Sequence, residues 1–187
     1  MSCLVRRPAT ISATNALLWG IFWLLGGAII GWHFSIIPTT IVGYAWGSAT
    51  LIRQVVYALV IWLSLTPPSY LCALILNRES KLLEVSGRML FAHLPITFLT
   101  LPIIVGDRVS YSIFTTEPFS AQLSPLYIVL MMLFCVAIVL WYIYWSYLAF
   151  SCAVKREGWS VFALFILSLV SSYILSAKMF DWVVYNI

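Results

Sequence analysis

Two histidines, His33 and His93, are the side chains of this sequence best suited to acid–base chemistry near neutral pH. A catalytic histidine is normally oriented by a third group, which is often a carboxylate. Neither histidine has an aspartate or glutamate three or four residues away, and both lie near the ends of apolar segments. This pattern is typical of hydrogen-bonded histidines near a membrane interface, so we predict no catalytic residue and no enzyme.

Motifs for nucleophilic, metal-dependent and nucleotide chemistry are absent from the sequence. It has no Gly-x-Ser-x-Gly elbow, no His-Glu-x-x-His pair and no phosphate-binding glycine loop. The four cysteines have neither Cys-x-x-Cys nor Cys/His spacing, so no metal and no cofactor is expected. These cysteines are Cys3, Cys72, Cys135 and Cys152. One enzymatic alternative stays open, a lipid-modifying enzyme in which His33 or His93 meets Asp107 or another acid in space.

The composition indicates that membrane-spanning helices carry both histidines and every cysteine except Cys3. Of 187 residues, 63% are hydrophobic and 9% are charged, against roughly 25% charged in soluble domains. Because a spanning helix needs about 20 apolar residues, the sequence predicts an all-α, polytopic transmembrane bundle in one domain, residues 1–187. The five predicted spans are 16–37, 51–76, 89–105, 125–154 and 159–179. The net charge of +4 is explained by orientation in the membrane, and nucleic acid is excluded as a partner.

Positive charges divide unequally between the two sides of such a bundle. Seven fall on the side of the N-terminus and three on the other, which predicts a cytoplasmic N-terminus. The seven are Arg6, Arg7, Arg78, Lys81, Arg88, Lys155 and Arg156, and the three are Arg53, Arg108 and Lys178.

Small residues and prolines mark where the spans pack and bend. Gly27 and Gly31 form a small-xxx-small pair that favours close helix packing in lipid. Pro67 and Pro68 interrupt the second span and Pro95 the third, so each of these spans is expected to kink or break. A polar stripe on the fifth span is expected to hydrogen-bond a neighbouring helix. It consists of Ser168, Ser171, Ser172 and Ser176.

Two connections are interpreted as interfacial. Residues 38–50 are rich in Gly, Thr and aromatic residues, which suits a membrane surface. Residues 77–88 form a polar, amphipathic segment in which Glu84 and Arg88 stand four apart. Its cations Arg78, Lys81 and Arg88 are the predicted contact with a partner or with lipid.

The segment Ala92-His93-Leu94-Pro95, which follows a basic, glycine-containing connection, resembles the Ala-x-x-Pro turn of the bacterial Yip1 membrane-protein family. A second resemblance is the loop Lys155-Arg156-Glu157-Gly158-Trp159-Ser160 before the last span. The similarity extends from Arg78 to the C-terminus. It implies a five-span protein of the bacterial cytoplasmic (inner) membrane without known catalysis. The acidic motif of eukaryotic members is absent, so their vesicle-trafficking roles are not implied.

Besides the enzymatic alternative, two functional hypotheses remain after these observations. The first is a non-enzymatic scaffold or accessory factor that contacts lipid, a membrane-protein partner or further copies of itself. The alternative is a small-molecule carrier, or the substrate-binding membrane subunit of a transporter. Its pocket would lie between Pro67, Pro68 and Pro95, with His93 beside it.

Overall fold

The structure, a computed structural model, describes residues 11–102, 104–105 and 125–186. Within this part, five helical segments are long and apolar enough to cross a membrane, which confirms the predicted all-α bundle. The elements are α1 (Ala13–Phe34), β1 (Ile36–Thr40), β2 (Gly43–Trp46), α2 (Leu51–Leu76), α3 (Leu82–Ala92), α4 (Leu94–Thr97), α5 (Pro125–Val154) and α6 (Trp159–Asn186). The third span comprises α3, α4 and the helical residues that follow, Leu82–Pro102.

Side-chain caps define where the first two spans begin. Ser12 precedes α1, and its hydroxyl accepts a hydrogen bond from the backbone N–H of Asn15 at 3.3 Å. Thr50 does the same for the N–H of Arg53 at the start of α2. Each cap satisfies one of the N–H groups that the first turn of a helix leaves without a partner.

The spans α1 and α3 run parallel and pack closely through two glycines. A Cβ atom on Gly87 would lie 2.6 Å from the carbonyl oxygen of Ala13, and one on Gly20 would lie 2.8 Å from the Leu90 side chain. Because a methyl group fits at neither position, these contacts depend on glycine.

Aromatic contacts align the remaining spans. The rings of Phe91 and Trp145 stack with centroids 5.6 Å apart, so α5 lies along the third span. The helix α6 packs mainly against α2, where Tyr57 and Phe180 have ring centroids 5.5 Å apart. The core therefore has two parts, one between the third span and α5 and one between α2 and α6.

The first span has the predicted length of 22 residues but lies three residues nearer the N-terminus. It ends at Phe34 and not at residue 37, because Ser35 adopts a left-handed conformation with φ 52° that reverses the chain. The predicted interfacial position of residues 38–50 does not hold for the turn at Ile41, which is buried in the bundle, whereas Ser48 and Thr50 are exposed. Part of this connection forms the antiparallel pair β1–β2, with Ile37 opposite Ala45 and Pro38 opposite Tyr44.

The third span begins earlier than predicted, at Leu82 and not at residue 89. Residues 82–88 were expected to lie in the interface, but Val85, Ser86 and Gly87 are buried in the bundle. The charges on this turn are compatible with burial because Arg88 and Glu84 form an ion pair at 3.5 Å.

The other spans follow the sequence prediction more closely. The helices α2 and α5 have the predicted bounds, 51–76 and 125–154, and α6 continues past residue 179 to Asn186. Pro67 and Pro68 lie inside α2, which is helical on both sides of them, so the predicted break is not present there. Large apolar side chains on the outward faces of all five spans are exposed, as expected for a protein whose solvent is lipid.

Candidate functional site at an inserted hairpin

The hairpin, residues 36–46, folds back into the bundle between α1 and α2. Its first residue, Ile36, lies beside Gly31, so β1 returns along the helix from which the chain has just emerged. The turn residue Ile41 is 2% exposed and packs in the core between α2 and α6. The hairpin is therefore a buried element and not a surface loop.

His93, a residue of the third span, forms a hydrogen bond with the turn of the hairpin. Its Nε2 lies 2.7 Å from the carbonyl oxygen of Ile41. Because a carbonyl oxygen only accepts, the proton of this hydrogen bond belongs to Nε2, which fixes the tautomer of a neutral ring. His93 is 3% exposed, and its ring meets Tyr142 edge to face at a centroid distance of 5.6 Å.

His93 also shows how deep the hairpin reaches. It lies eleven residues after Leu82, the first residue of α3, or about 16 Å along the span at 1.5 Å per residue. The hydrocarbon core is about 30 Å thick, so the contact with Ile41 falls near its middle. Irregular backbone at such depth is tolerated only where protein or a water-filled cavity surrounds it.

Gln54 holds the beginning of the hairpin from α2. Its Nε2 donates to the carbonyl oxygen of Ile36 at 2.8 Å, and the side chain is 2% exposed. Gly31 makes this contact possible, since a Cβ there would lie 2.7 Å from the Ile36 carbonyl oxygen and 2.8 Å from Gln54 Oε1. The predicted packing role of Gly31 is thus directed at the hairpin and Gln54.

Ser176, a residue of α6, binds the backbone N–H of the same turn residue, Ile41. Its hydroxyl accepts a hydrogen bond from the Ile41 N–H at 3.2 Å and donates to the Tyr173 carbonyl oxygen at 2.8 Å. Ser168, Ser172 and Ser176 of the predicted serine stripe are fully buried. Ser176 bonds the hairpin and not a neighbouring helix, whereas Ser168 donates within its own helix to the Phe165 carbonyl oxygen at 2.8 Å. Three different spans therefore satisfy backbone groups of one hairpin.

A small cavity of about 30 Å³ adjoins these contacts. Its polar lining includes Tyr44, Gln54, His93, Thr97 and Thr100. A volume of this size accommodates about one water molecule. The arrangement can hold a neutral, hydrogen-bonding molecule of that size, and it offers no negative charge to a cation.

The cavity is not the pocket predicted between the proline-interrupted spans. The cavity includes His93 but none of Pro67, Pro68 and Pro95. Pro95 is buried in the first turn of α4, and the third span is interrupted next to it, at His93. Gly27 lines the cavity, and a Cβ there would meet only the Thr97 methyl group at 3.8 Å, an ordinary contact.

The predicted contact cations lie at one end of the bundle. We call this end the basic end and define it by Arg78, Lys81, Lys155 and Arg156, all of which are exposed. Asn77 joins its two turns, since its Nδ2 donates to the Val154 carbonyl oxygen at 3.1 Å. The third predicted cation, Arg88, is paired with Glu84, and its side chain is only 12% exposed.

The enzymatic alternative needs His33 or His93 to meet an acid such as Asp107. Asp107 lies outside the described residues, as do Arg6, Arg7, Arg108 and Cys3. His33 is exposed at the end of α1. Across residues 11–102, 104–105 and 125–186, no group of three or more His, Cys, Asp or Glu side chains is arranged to hold a metal ion.

Sequence reasoning missed two members of the site. Gln54 carried a usable signal, because a neutral amide inside an apolar span is costly unless it has a partner. Ile41 carried none, since an aliphatic residue in an apolar chain does not reveal that its backbone groups are held. Comparison of the sequence with protein-family models and with curated proteins, and of the structure with solved structures, finds no match.

Proposed function

We propose that this chain is a non-enzymatic integral membrane protein of Yip1-like type, acting as a scaffold or accessory factor. In this proposal the basic end contacts a membrane-protein partner, another copy of the chain or anionic lipid. The bacterial cytoplasmic membrane, with the N-terminus in the cytoplasm, is the proposed location. Two observations support this proposal: the hydrogen bonds made by buried polar side chains and the distribution of exposed charges.

The observation that carries the proposal is the hydrogen bonding at depth. Gln54, His93 and Ser176 direct their polar atoms at the backbone of the hairpin. A carrier or intramembrane enzyme uses such groups to bind or activate a substrate. Here they fix the chain to itself, which supports a structural role for the membrane interior.

The distribution of exposed charge supports contact at the basic end. Its two turns also expose Glu79 and Glu157, so both signs are present with an excess of cations. Charges at the rim of an interface act mainly through recognition and association rate. Cations next to a membrane are also drawn to anionic lipid headgroups.

A carrier would need more room than the bundle interior provides near His93. Sites for drug-sized molecules are typically about 300–1,000 Å³, whereas the cavity there has about 30 Å³. The cavity at His93 is therefore too small for the predicted carrier site, which favours the scaffold or accessory role for this part of the bundle.

The test is charge reversal at the basic end of the full-length protein. The variant Arg78→Glu/Lys81→Glu avoids Arg88, whose ion pair with Glu84 has a role within the bundle. Proteins that co-purify after crosslinking in the membrane are quantified in mild detergent. We expect recovery of the partner to fall about tenfold or more, since like charges placed across an interface cost several kcal/mol.

The matched control is Lys178→Glu, which changes an exposed cation near the opposite end of the bundle. It should leave recovery unchanged, and membrane orientation of both variants is checked by protease protection. Equal recovery from wild type and the double variant would contradict a functional basic end. A vitamin that raises the Tm of the wild-type protein, with no protein co-purifying, would favour the carrier.

A further inference from the structure

A second, larger cavity lies between α5 and α6, beside the turn that joins them. It has a volume of about 520 Å³ and is an open groove. We call it the aromatic groove and define it by Leu140, Ile143, Tyr144, Tyr147, Trp159 and Phe162. It exists because α5 packs against the third span while α6 packs mainly against α2, so that the two helices diverge from their turn.

The walls of the aromatic groove are made of ring faces and edges. The Tyr147 ring lies 5.9 Å from Phe162 and 5.6 Å from Phe165, measured between centroids. Phe165 is fully buried, whereas Trp159 is largely exposed, so the groove has a closed side and an open side. Rings placed in this way present an apolar surface to whatever enters.

The apolar surface of the groove favours a hydrocarbon chain over water as its occupant. Water needs two to four polar partners in a cavity, and the lining here is predominantly apolar. An empty groove would forfeit the dispersion contacts of every ring that lines it. Since Leu140, Tyr144 and Trp159 are exposed on two helices long and apolar enough to span a membrane, an acyl chain can enter from the bilayer.

The turn at the end of the groove supplies charge. Lys155, Arg156 and Glu157 occupy it and are exposed, an excess of one cation. Lys155 has φ 56° and Gly158 has φ 121°, so the chain turns tightly here. Gly158 and Trp159, which follow these charges directly in the sequence, line the groove. Cations at this level of a bilayer attract anionic headgroups.

We propose that the aromatic groove binds an anionic phospholipid, with one acyl chain along the rings and the phosphate at Lys155 and Arg156. This proposal rests on the proposed function, since Lys155 and Arg156 belong to the basic end, and it names the lipid and the place where that end binds it. Its failure would leave a partner contact through Arg78 and Lys81 standing. The acyl chain explains the groove and the headgroup explains the cations, so one ligand accounts for both.

The experiment is native mass spectrometry of the full-length protein in detergent with equal amounts of phosphatidylglycerol and phosphatidylcholine. We expect wild type to retain phosphatidylglycerol in preference. The variant Lys155→Gln/Arg156→Gln should bind it about tenfold or more weakly, since each cation removed is expected to cost about fivefold. The variant Leu140→Trp, which fills the groove, should lose retention of both lipids.

Matched controls separate this site from general lipid contact. Leu133 lies two turns from Leu140 on the same helix and has the same exposed fraction, 61%, so Leu133→Trp should retain lipid as wild type does. Arg78→Gln/Lys81→Gln removes two cations from the same end and should have little effect. The melting temperature of each variant is measured, and only folded variants are compared.

Three outcomes would overturn the proposal. Equal retention of the two lipids by wild type would remove the role of the headgroup. Retention by Leu140→Trp equal to that of wild type would place the lipid elsewhere. A dimer that Leu140→Trp dissociates would assign the groove to a second copy of the chain.

Discussion

The Nε2 atom of His93 lies 2.7 Å from the carbonyl oxygen of Ile41, although the two residues are 52 positions apart in the sequence. The contact joins the middle of the third span to the turn of a hairpin that returns into the bundle. A buried carbonyl group left unpaired would cost roughly 1–3 kcal/mol. His93 thus has a structural task that its type alone did not indicate.

Replacing His93 tests that task. His93→Leu removes the donor, and we expect it to lower the free energy of unfolding by about 1–3 kcal/mol because the Ile41 carbonyl group loses its partner. His93→Gln keeps an N–H donor and should recover part of the loss. His33→Leu, at an exposed position, should change stability by less than about 0.5 kcal/mol. Unfolding is measured in mixed micelles, and equal stability of His93→Leu and His33→Leu would refute the assignment.

Ser176 and His93 hold opposite sides of the same residue, so their effects should be coupled. Ser176→Ala leaves the Ile41 N–H without its acceptor and should cost about 1–3 kcal/mol. Because either substitution loosens the turn, the double variant with His93→Leu should cost less than the sum of the single variants, by about 0.5 kcal/mol or more. Additive losses in a double-mutant cycle would show that the two contacts act independently. Ser171→Ala, on the same stripe but only half-buried, is the control.

Gly31 and Gly27 should respond differently to the same substitution. A Cβ on Gly31 meets the Ile36 carbonyl oxygen at 2.7 Å, whereas one on Gly27 meets only a methyl group at 3.8 Å. Gly31→Ala should therefore destabilise the protein by about 1–3 kcal/mol through overpacking. Gly27→Ala should be neutral or slightly stabilising, since alanine is the better helix former. The melting temperature of each variant is measured. An equal fall for Gly31→Ala and Gly27→Ala would contradict this distinction.

Gly87 should be the most sensitive position between α1 and α3. A Cβ there would lie 2.6 Å from the Ala13 carbonyl oxygen, so helix backbones and not only a side chain would have to shift. We expect Gly87→Ala to lose about 1–3 kcal/mol of stability or more. Gly26→Ala, at a position with open space around it, provides the control. Far-UV circular dichroism during thermal unfolding measures both, and a Gly87→Ala variant as stable as Gly26→Ala would disprove the close packing.

Much of the fold was predictable because hydrophobic length is a local signal. The bounds of α2 and α5 follow from the extent of their apolar runs and from polar or turn-forming residues at their ends. The predicted interface at residues 82–88 was wrong for a related reason. Its charges suggested water, but Glu84 and Arg88 neutralise each other while Val85, Ser86 and Gly87 face the bundle.

The site was harder to predict because its contacts are distant in sequence. The Ile41 backbone meets residues 52 and 135 positions away. Pro38, Gly43 and the neighbouring threonines have the chemistry of an ordinary surface turn. Nothing in their spacing distinguishes a turn in water from a turn inside a bundle that supplies its hydrogen-bond partners. The serine stripe was identified from its spacing, but its partner was not.

The central claim, that the hairpin is inserted into the bundle, is tested most directly by cysteine accessibility. Ile41→Cys and Ser48→Cys are compared in full-length protein whose natural cysteines have been replaced, using a membrane-impermeant maleimide on intact membranes and on both sides. Ile41 is 2% exposed, whereas Ser48, in the same connection, is exposed. We predict that the Ser48→Cys variant is labelled readily and that the Ile41→Cys variant is labelled only after denaturation. Equal labelling of the two variants in the folded state would contradict the inserted hairpin.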